Sequence, residues 1–506
     1  MTRIPDALGR LWTADDQLPM VEHDGVWTTW GSVRVLVERI ERELREAGCR
    51  AGDRVAVVLG NRVESMAALM AVFRARQTLV TISPLQPPAR LSADLGASSA
   101  PFVLAPEALW AHQEFIDALA ELGAAAWSLE SDAVTRRAAG TPQHGRNDPA
   151  IAIEMLTSGT TGTPKRIPLT HGQIEASLSA ALQHNDQPGV RDKPVLTGAV
   201  GLVALPIVHI GGLWSLLQAL VAGRRIVMLE RFTVAGWHAA VKEHKPVSAG
   251  LPPAAIRMVL ESSIPAADLA SIRAMTAGTS PVDPDLVDAF HARYGIPILA
   301  VYGATEFSGA VAGWTLKEFN TRWKDKKGSV GRPFPGVRMR IIGDDGDVRS
   351  GKTGLLQVAS KQIGNGADWV TTSDLAHIDE EGFLYIDGRA DDVIVRGGFK
   401  VSPEIVMKTL RTHRAVADAV VVGRSDSRLG QIPFALVEVR NGASATGEEL
   451  RAHCRDQLTP YEVPAAVFVV DELPRGAALK VDRRRLDAML DDLLEPGVHQ
   501  PSAKVR

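Results

Sequence analysis

Two cysteines in 506 residues, Cys49 and Cys454, leave no room for a disulfide framework, and neither stands in a CxxC or Cys/His spacing that would hold structural zinc. A reducing compartment is expected. No charge sign dominates: 56 Lys and Arg face 59 Asp and Glu, a net charge of −3. The basic residues are scattered, so there is no electrostatic footprint for nucleic acid. Long apolar runs are missing too. No segment reaches the roughly eighteen uninterrupted apolar residues of a membrane span, and the opening MTRIPDALGRLW lacks a signal-peptide apolar region. The expectation is a cytoplasmic protein with no nucleic-acid partner and no integral-membrane segment. Internal repeats, heptads and low-complexity tracts are absent. What is present is ordinary for a globular enzyme, 45% hydrophobic and 23% charged residues, in a chain long enough for two to four domains or subdomains.

The first 150 residues alternate helical and strand signals. Ser32 to Ala47 carries a helical period ending at Gly48, GDRVAVVLGN reads as a strand between turns, Glu64 to Ala75 is helical again, and TLVTISP follows. VGLVALPI, a helix from about Leu213 to Val221, and RRIVMLE continue the pattern. Strands alternating with helices of this length predict an α/β protein with parallel sheets covered on both faces. From about Gly328 hairpin signals take over, with GDDGD as a tight turn and DEEGFLYIDGR as a turn and strand. Asp344, Asp345 and Asp347 lack EF-hand spacing and read as a solvated turn. After Arg389 about 115 residues carry their own strand and helix signals, enough for a small α+β domain. The last residues, 495–506, read as a frayed tail.

The segment LTSGTTGTPKRIPLTH, from Leu156 to His171, follows the apolar run IAIEML. Glycine-rich loops after strands hold phosphate because their backbone N–H groups can approach the oxygens closely. This is not a Walker A loop, which would need glycine at Pro164 and Ser or Thr at Arg166. A flexible surface turn is the bland alternative.

Together with PIVHIGG, AGTSP, VYGATE, TSDL, GRADDVIVRGGFKVSPEI and LPRGAALKVDRRRL, in this order over nearly the whole chain, the loop resembles the adenylate-forming (AMP-binding) superfamily, in its acyl-CoA synthetase or acid–CoA ligase branch. The resemblance implies a large N-terminal domain of α/β-covered sheets plus a β-barrel-like subdomain over residues 1–390, and a small mobile α+β C-terminal domain over 391–494. It implies ATP, Mg²⁺ and CoA as cofactor and co-substrates. Thr157, Ser158, Gly159, Thr160, Thr161 and Lys165 would face the β and γ phosphates. Gly278, Thr279 and Ser280 would wall the adenine slot, with Tyr302 stacked on the base and Gly303 beside it. Asp374 would take the ribose hydroxyls with help from Arg389. Arg166 departs from the family's usual glycine, and Thr372-Ser373-Asp374 stands where the family shows TGD.

The implied chemistry has two steps. A carboxylate attacks the α-phosphate of ATP and expels pyrophosphate, giving acyl-AMP, and a thiol then takes the acyl group and releases AMP. Crowding two anions calls for cations in a water-poor site. Glu306 would hold Mg²⁺, with Thr305 beside it on phosphate. Lys480 would bridge carboxylate and α-phosphate as a point charge. Its usual preceding glycine is Leu479 here. For the thiol step the family rotates its C-terminal domain about a hinge. Asp391 matches the hinge position, and Gly397, Gly398 and Lys400 match the hairpin brought to the thiol path. An ordinary hairpin turn is the competing reading of Gly397-Gly398.

His209 stands where amino-acid adenylating relatives place an aspartate for the substrate ammonium, and a satisfied core histidine is its alternative. Trp214, Phe307, Ser308 and Val311 form a largely apolar set of candidate acyl-pocket residues without a cation for a second carboxylate. The resemblance therefore implies a hydrophobic carboxylic acid, fatty, aryl or alicyclic. A carrier-loading adenylating enzyme, an amino-acid adenylation domain and an inactive scaffold homologue remain as other readings, and either a monomer or a homodimer is open.

Overall fold

A computed structural model of the chain describes residues 4–142, 148–157, 165–185, 194–343, 346–347 and 350–494. The dominant sheet contains β1 (Arg54–Val58), β2 (Thr78–Ile82), β3 (Phe102–Pro106), β4 (Ala125–Leu129), β5 (Val134–Ala138), β6 (Ile151–Thr157) and β7 (Lys165–Thr170), in spatial order β5-β4-β3-β1-β2-β6-β7. The five inner strands are parallel, and the edge strands β5 and β7 run antiparallel to their neighbours.

Alternate residues of the inner strands enter different cores. Val55 and Val57 join the cluster containing the helices Trp30–Glu46 and Val63–Arg74, whereas Ala56 and Val58 join the cluster around Phe115. All four are essentially inaccessible. With the strand period of two, this is why β1 reads as a continuous apolar run: both faces are covered. Each fully buried valine contributes about 1.5–3 kcal/mol relative to an exposed one.

A second sheet runs in sequence order: β8 (Ser248–Gly250), β9 (Ala274–Ala277), β10 (Ile298–Ala304), β11 (Gly309–Gly313) and β12 (Arg332–Pro333). Its first three strands are parallel and the rest antiparallel. A four-stranded sheet joins Gly201–Val203, Ile226–Met228, Pro19–His23 and Val26–Thr29. Further along come β13 (Arg338–Gly343), β14 (Gly346–Asp347), β15 (Gly354–Ala359), β16 (Val370–Ile378) and β17 (Leu384–Arg389), in the order β14-β13-β15-β16-β17. The last sheet is β18 (Ile394–Arg396), β19 (Phe399–Val401), β20 (Val416–Asp426), β21 (Gly430–Val439) and β22 (Ala466–Val470), ordered β19-β18-β21-β20 with β22 against β21. The sheets are mixed, and the α/β expectation holds.

By internal contacts the chain divides into two compact units, Met1–Met339 with Val358–Val370, and Arg340–Gln357 with Thr371–Arg506. No helix among the described residues is long and apolar enough to cross a membrane. Both cysteines are buried and unbridged.

Candidate active site

Parallel strands β9 and β10 pair Met275 with Ile298, Thr276 with Leu299 and Ala277 with Ala300. Gly278-Thr279-Ser280, just past the end of β9, therefore run beside Val301-Tyr302 in the carboxyl-terminal half of β10, the side on which open α/β sheets place ligands. A Cβ on Gly278 would stand 2.8 Å from a Val301 methyl, so only glycine allows this approach. Thr279 is left-handed, φ +74°, a conformation that costs an L-residue about 1–2 kcal/mol. Backbone strain of this kind gathers at functional sites. Tyr302 is half-buried, its ring centroid 6.2 Å from that of Phe307.

After β10 the chain makes a single tight turn, Thr305–Phe307, in which the Ser308 N–H donates to the Thr305 carbonyl at 2.9 Å. It returns as β11 with Gly303 opposite Ala310 and Ala304 opposite Gly309. The fully buried Gln362 braces this turn, its amide nitrogen donating to the carbonyls of Phe307 (3.2 Å) and Ala310 (2.9 Å). Glu306 is exposed on the turn while Phe307 and Val311 are buried.

Two helices close on this turn, α1 (His171–His184) and α2 (Ile210–Val221). The Trp214 indole N–H donates to Ser177 Oγ at 3.1 Å. A Cβ on Gly309 would fall 2.7 Å from Trp214 Nε1 and 3.0 Å from Ser177 Oγ. A Cβ on Gly211 would reach the Thr279 methyl at 3.4 Å. The structure thus brings together, within one unit, the Thr279 wall, Tyr302, the Thr305-Glu306 turn and most of the expected acyl-pocket residues.

His209 caps the start of α2 and is exposed, which removes the buried-core reading. The segment leading to it is bolted down by Asn61, whose amide nitrogen donates to the Leu205 (3.0 Å) and Leu229 (2.8 Å) carbonyls and whose oxygen accepts from the Ile207 N–H at 2.8 Å. The sequence reading passed over Asn61. Its signal was a polar residue closing the apolar run of β1.

Of the phosphate-loop residues, Ser158, Gly159, Thr160 and Thr161 lie outside the described residues. Thr157 ends β6 opposite Lys165, the first residue of β7, so the loop is anchored on a hairpin of adjacent strands. Arg166, in place of the family's glycine, points back into the protein. It donates to the Thr81 carbonyl at 3.2 Å and pairs with the Asp94 carboxylate on the helix Pro88–Ser98. Burial pulls the Arg166 guanidinium below its ordinary value, opposed by Asp94 and Glu154. The Asp94 side chain is only 8% exposed, so Arg166→Ala strands a buried carboxylate and is expected to lower stability by about 3 kcal/mol, read from the urea midpoint.

The second unit carries the other expected residues. On β16 and β17, Asp374 lies directly opposite Arg389. Thr372 Oγ1 accepts from the Asp374 N–H at 3.0 Å and donates to the Leu356 carbonyl, which fixes the Thr-x-Asp turn of chain. Arg389 grips Asp391 with two bonds, 2.9 and 2.8 Å, and faces Asp374 at 3.5 Å. The Asp391 carboxylate raises the Arg389 guanidinium above its ordinary value against the opposing effect of burial. Gly397 and Gly398 form the two-residue turn between β18 and β19, both with positive φ (+58° and +88°), as a type I′ hairpin requires. Its tip therefore presents backbone without side chains, and Lys400 stands exposed on β19.

Lys480 is exposed in a tight loop closed by the bridge between Arg475 and Val481, with the Gly476 N–H donating to the Lys480 carbonyl at 2.8 Å. Leu479 is left-handed at φ +58°, which accounts for glycine being usual there in the resembling family. The loop's root is ionic: Arg475 pairs with Asp418 at 2.6 Å, and Asp418 also pairs with Arg411 at 3.1 Å. Burial pushes the Asp418 carboxyl up, but the two arginines outweigh it and hold it below the usual carboxylate range. A depressed folded value means stability present above the unfolded aspartate pKa of about 3.9 and lost as pH falls through the folded value. Hydrogen exchange over residues 404–480 of the intact chain should therefore lose protection below about pH 4. Asp418→Asn is expected to lower protection at neutral pH and flatten that acid limb.

The AMP-binding enzyme family model matches residues 13–366, and the AMP-binding enzyme C-terminal domain model matches residues 408–480. The chain belongs to the AMP-binding enzyme family. A 2-succinylbenzoate–CoA ligase of Bacillus velezensis is 30% identical to this enzyme over 459 residues, 87% of this chain and 88% of the relative. An indoleacetate–CoA ligase of Aromatoleum aromaticum is 30% identical over 475 residues, 88% and 90% of the two chains. Among solved structures, O-succinylbenzoate coenzyme A synthetase from Bacillus subtilis in complex with ATP and magnesium ion matches with a TM-score of 0.76 at 25% identity, covering 95% of this chain and 99% of that one. The acid–CoA ligase branch expected from the motifs is borne out, and with it an enzyme of ATP, Mg²⁺ and CoA.

Proposed function

We propose that this enzyme activates an aromatic monocarboxylic acid with ATP and transfers it to CoA. The carrying observation is the convergence, at the carboxyl ends of β9 and β10, of a strained Thr279 wall, Tyr302, an exposed Glu306 on a braced turn, and the apolar Trp214, Phe307 and Val311. A flat aromatic such as Tyr302 suits an adenine face. The aromatic acids in the relatives' names favour an aryl substrate over a fatty or alicyclic one.

In the first step a carboxylate oxygen of the acid forms a bond to the α-phosphorus, the bond to the β-phosphate oxygen breaks, and pyrophosphate leaves. Thr157, Lys165 and the loop between them receive the triphosphate, Thr305 contacts phosphate, and Asp374 with Arg389 takes the ribose hydroxyls. Lys480 meets the carboxylate and α-phosphate as a point charge. The donor set at the turn, a carboxylate and a hydroxyl, is of the hard oxygen type that suits Mg²⁺, and the bound ion would neutralise triphosphate charge there. In the second step the CoA sulfur forms a bond to the acyl carbon and AMP departs, with the pantetheine arm passing the side-chain-free tip at Gly397-Gly398 after motion about Asp391. His209, without fixed negative charge, speaks against an amino-acid substrate.

We place the enzyme in the cytoplasm, consistent with two buried, unbridged cysteines. Residues 1–390 are proposed as the adenylating part and 391–494 as the part that moves. Exchange of labelled pyrophosphate into ATP tests the first step. Aromatic acids should support it at least tenfold faster than straight-chain acids of equal carbon number, and exchange confined to the aliphatic acids would overturn the substrate assignment.

A further inference from the structure

The guanidinium of Arg389 is shared three ways. Its Nε and Nη2 hold the Asp391 carboxylate, Nη2 also donates to Ser373 Oγ, and Nη1 faces Asp374 at 3.5 Å. Ser373 stands beside Asp374 on β16, and Arg389 is the last residue of β17 directly across from Asp374. An arginine has a rigid planar fork, so fixing two of its nitrogens fixes the direction of the third. Asp391 takes two of these nitrogens, but it fixes the fork only relative to its own short turn, Ala390–Asp392, two residues along the same chain segment. Ser373, on the neighbouring strand, supplies the second point of attachment.

We propose that Ser373 is a positioning residue that holds Arg389 with one face toward Asp374 and the other toward Asp391, so that nucleotide binding and release of the hinge carboxylate draw on the same cation. This rests on the proposed nucleotide role of Asp374 and Arg389. Removal of the hydroxyl leaves Arg389 with the close Asp391 pair and only the longer 3.5 Å approach to Asp374 across the strands. The arginine then aligns less well with Asp374, and ribose binding weakens while the reacting groups stay in place. The site of this effect is a serine in a position where the resembling family carries glycine, so it is a property of this chain.

The test uses the full-length enzyme and the pyrophosphate exchange assay, with ATP varied. Ser373→Ala is expected to raise the KM for ATP about three- to tenfold, the net worth of one ordinary hydrogen bond, with kcat changed less than about twofold. Ser373→Thr, which keeps the hydroxyl, should restore the wild-type KM. A general structural defect would instead lower kcat or melting temperature in both variants. Asp374→Asn serves as the reference for the nucleotide assignment. An unchanged KM in Ser373→Ala beside a raised KM in Asp374→Asn overturns the positioning role and spares the nucleotide assignment. If neither variant moves the KM, both fall. Failure of Ser373→Thr to rescue also overturns the proposal.

Discussion

Lys480→Ala is expected to lower acyl-AMP formation by about 10²- to 10³-fold, the usual loss when one pre-organised stabiliser of transition-state charge is removed. Thiolysis of supplied acyl-AMP should stay within a few-fold of wild type. The separation follows from chemistry. Only the first step crowds the carboxylate against a phosphate, and only that step needs a cation bridging the two. The loop that carries Lys480 is built for placement: a bridge at its base, a left-handed Leu479, and a root in the Arg475–Asp418–Arg411 ion cluster. Rapid-quench assays of the two half-reactions measure both numbers. Equal collapse of both half-reactions would refute the division of labour.

Asp391→Pro should do the reverse. Proline fixes its own φ near −65° and pushes the residue before it, Ala390, away from the helical region that a short helical turn requires. The turn Ala390–Asp392 would be locked, and the two bonds from Arg389 would vanish with the carboxylate. The CoA step should slow by about two orders of magnitude, as misplaced reacting groups do, while adenylation persists. Asp391→Ala is the control, since it removes the carboxylate but leaves the backbone free. An unimpaired CoA step in the proline variant would remove the hinge assignment.

Much of this was legible in the chain. Three of the five inner strands of the main sheet, β1, β2 and β6, stand out as apolar runs, and the helices Trp30–Glu46 and Val63–Arg74 lie within a few residues of where the periodicity puts them, whereas β3 and β4 carried no reading. The segment VGLVALPI was read as one strand, but only Gly201–Val203 pairs as one. The remainder leaves the sheet because a distant side chain, Asn61, satisfies the backbone groups of Leu205 and Ile207. No local pattern encodes that substitution of a side chain for a strand partner. Arg166 shows the same limit from the other side. Its departure from the usual glycine has no local reason in the sequence, and its partner is a buried carboxylate 72 positions earlier. The Thr305-Glu306 turn was evident from its motif, whereas its brace, Gln362, lay in a stretch that carried no motif. Asp344 and Asp345, read as a solvated turn, lie outside the described residues, as do residues 495–506.

The most direct test of the central claim is product analysis by mass spectrometry, with benzoate, cinnamate, indoleacetate, alicyclic and short to long fatty acids offered in turn with ATP and Mg²⁺, each with and without CoA. An aromatic acid should give AMP, pyrophosphate and its CoA thioester, the thioester appearing only when CoA is present. Acyl-AMP that accumulates from an aromatic acid and is indifferent to CoA would contradict the ligase assignment and point to loading of a carrier protein.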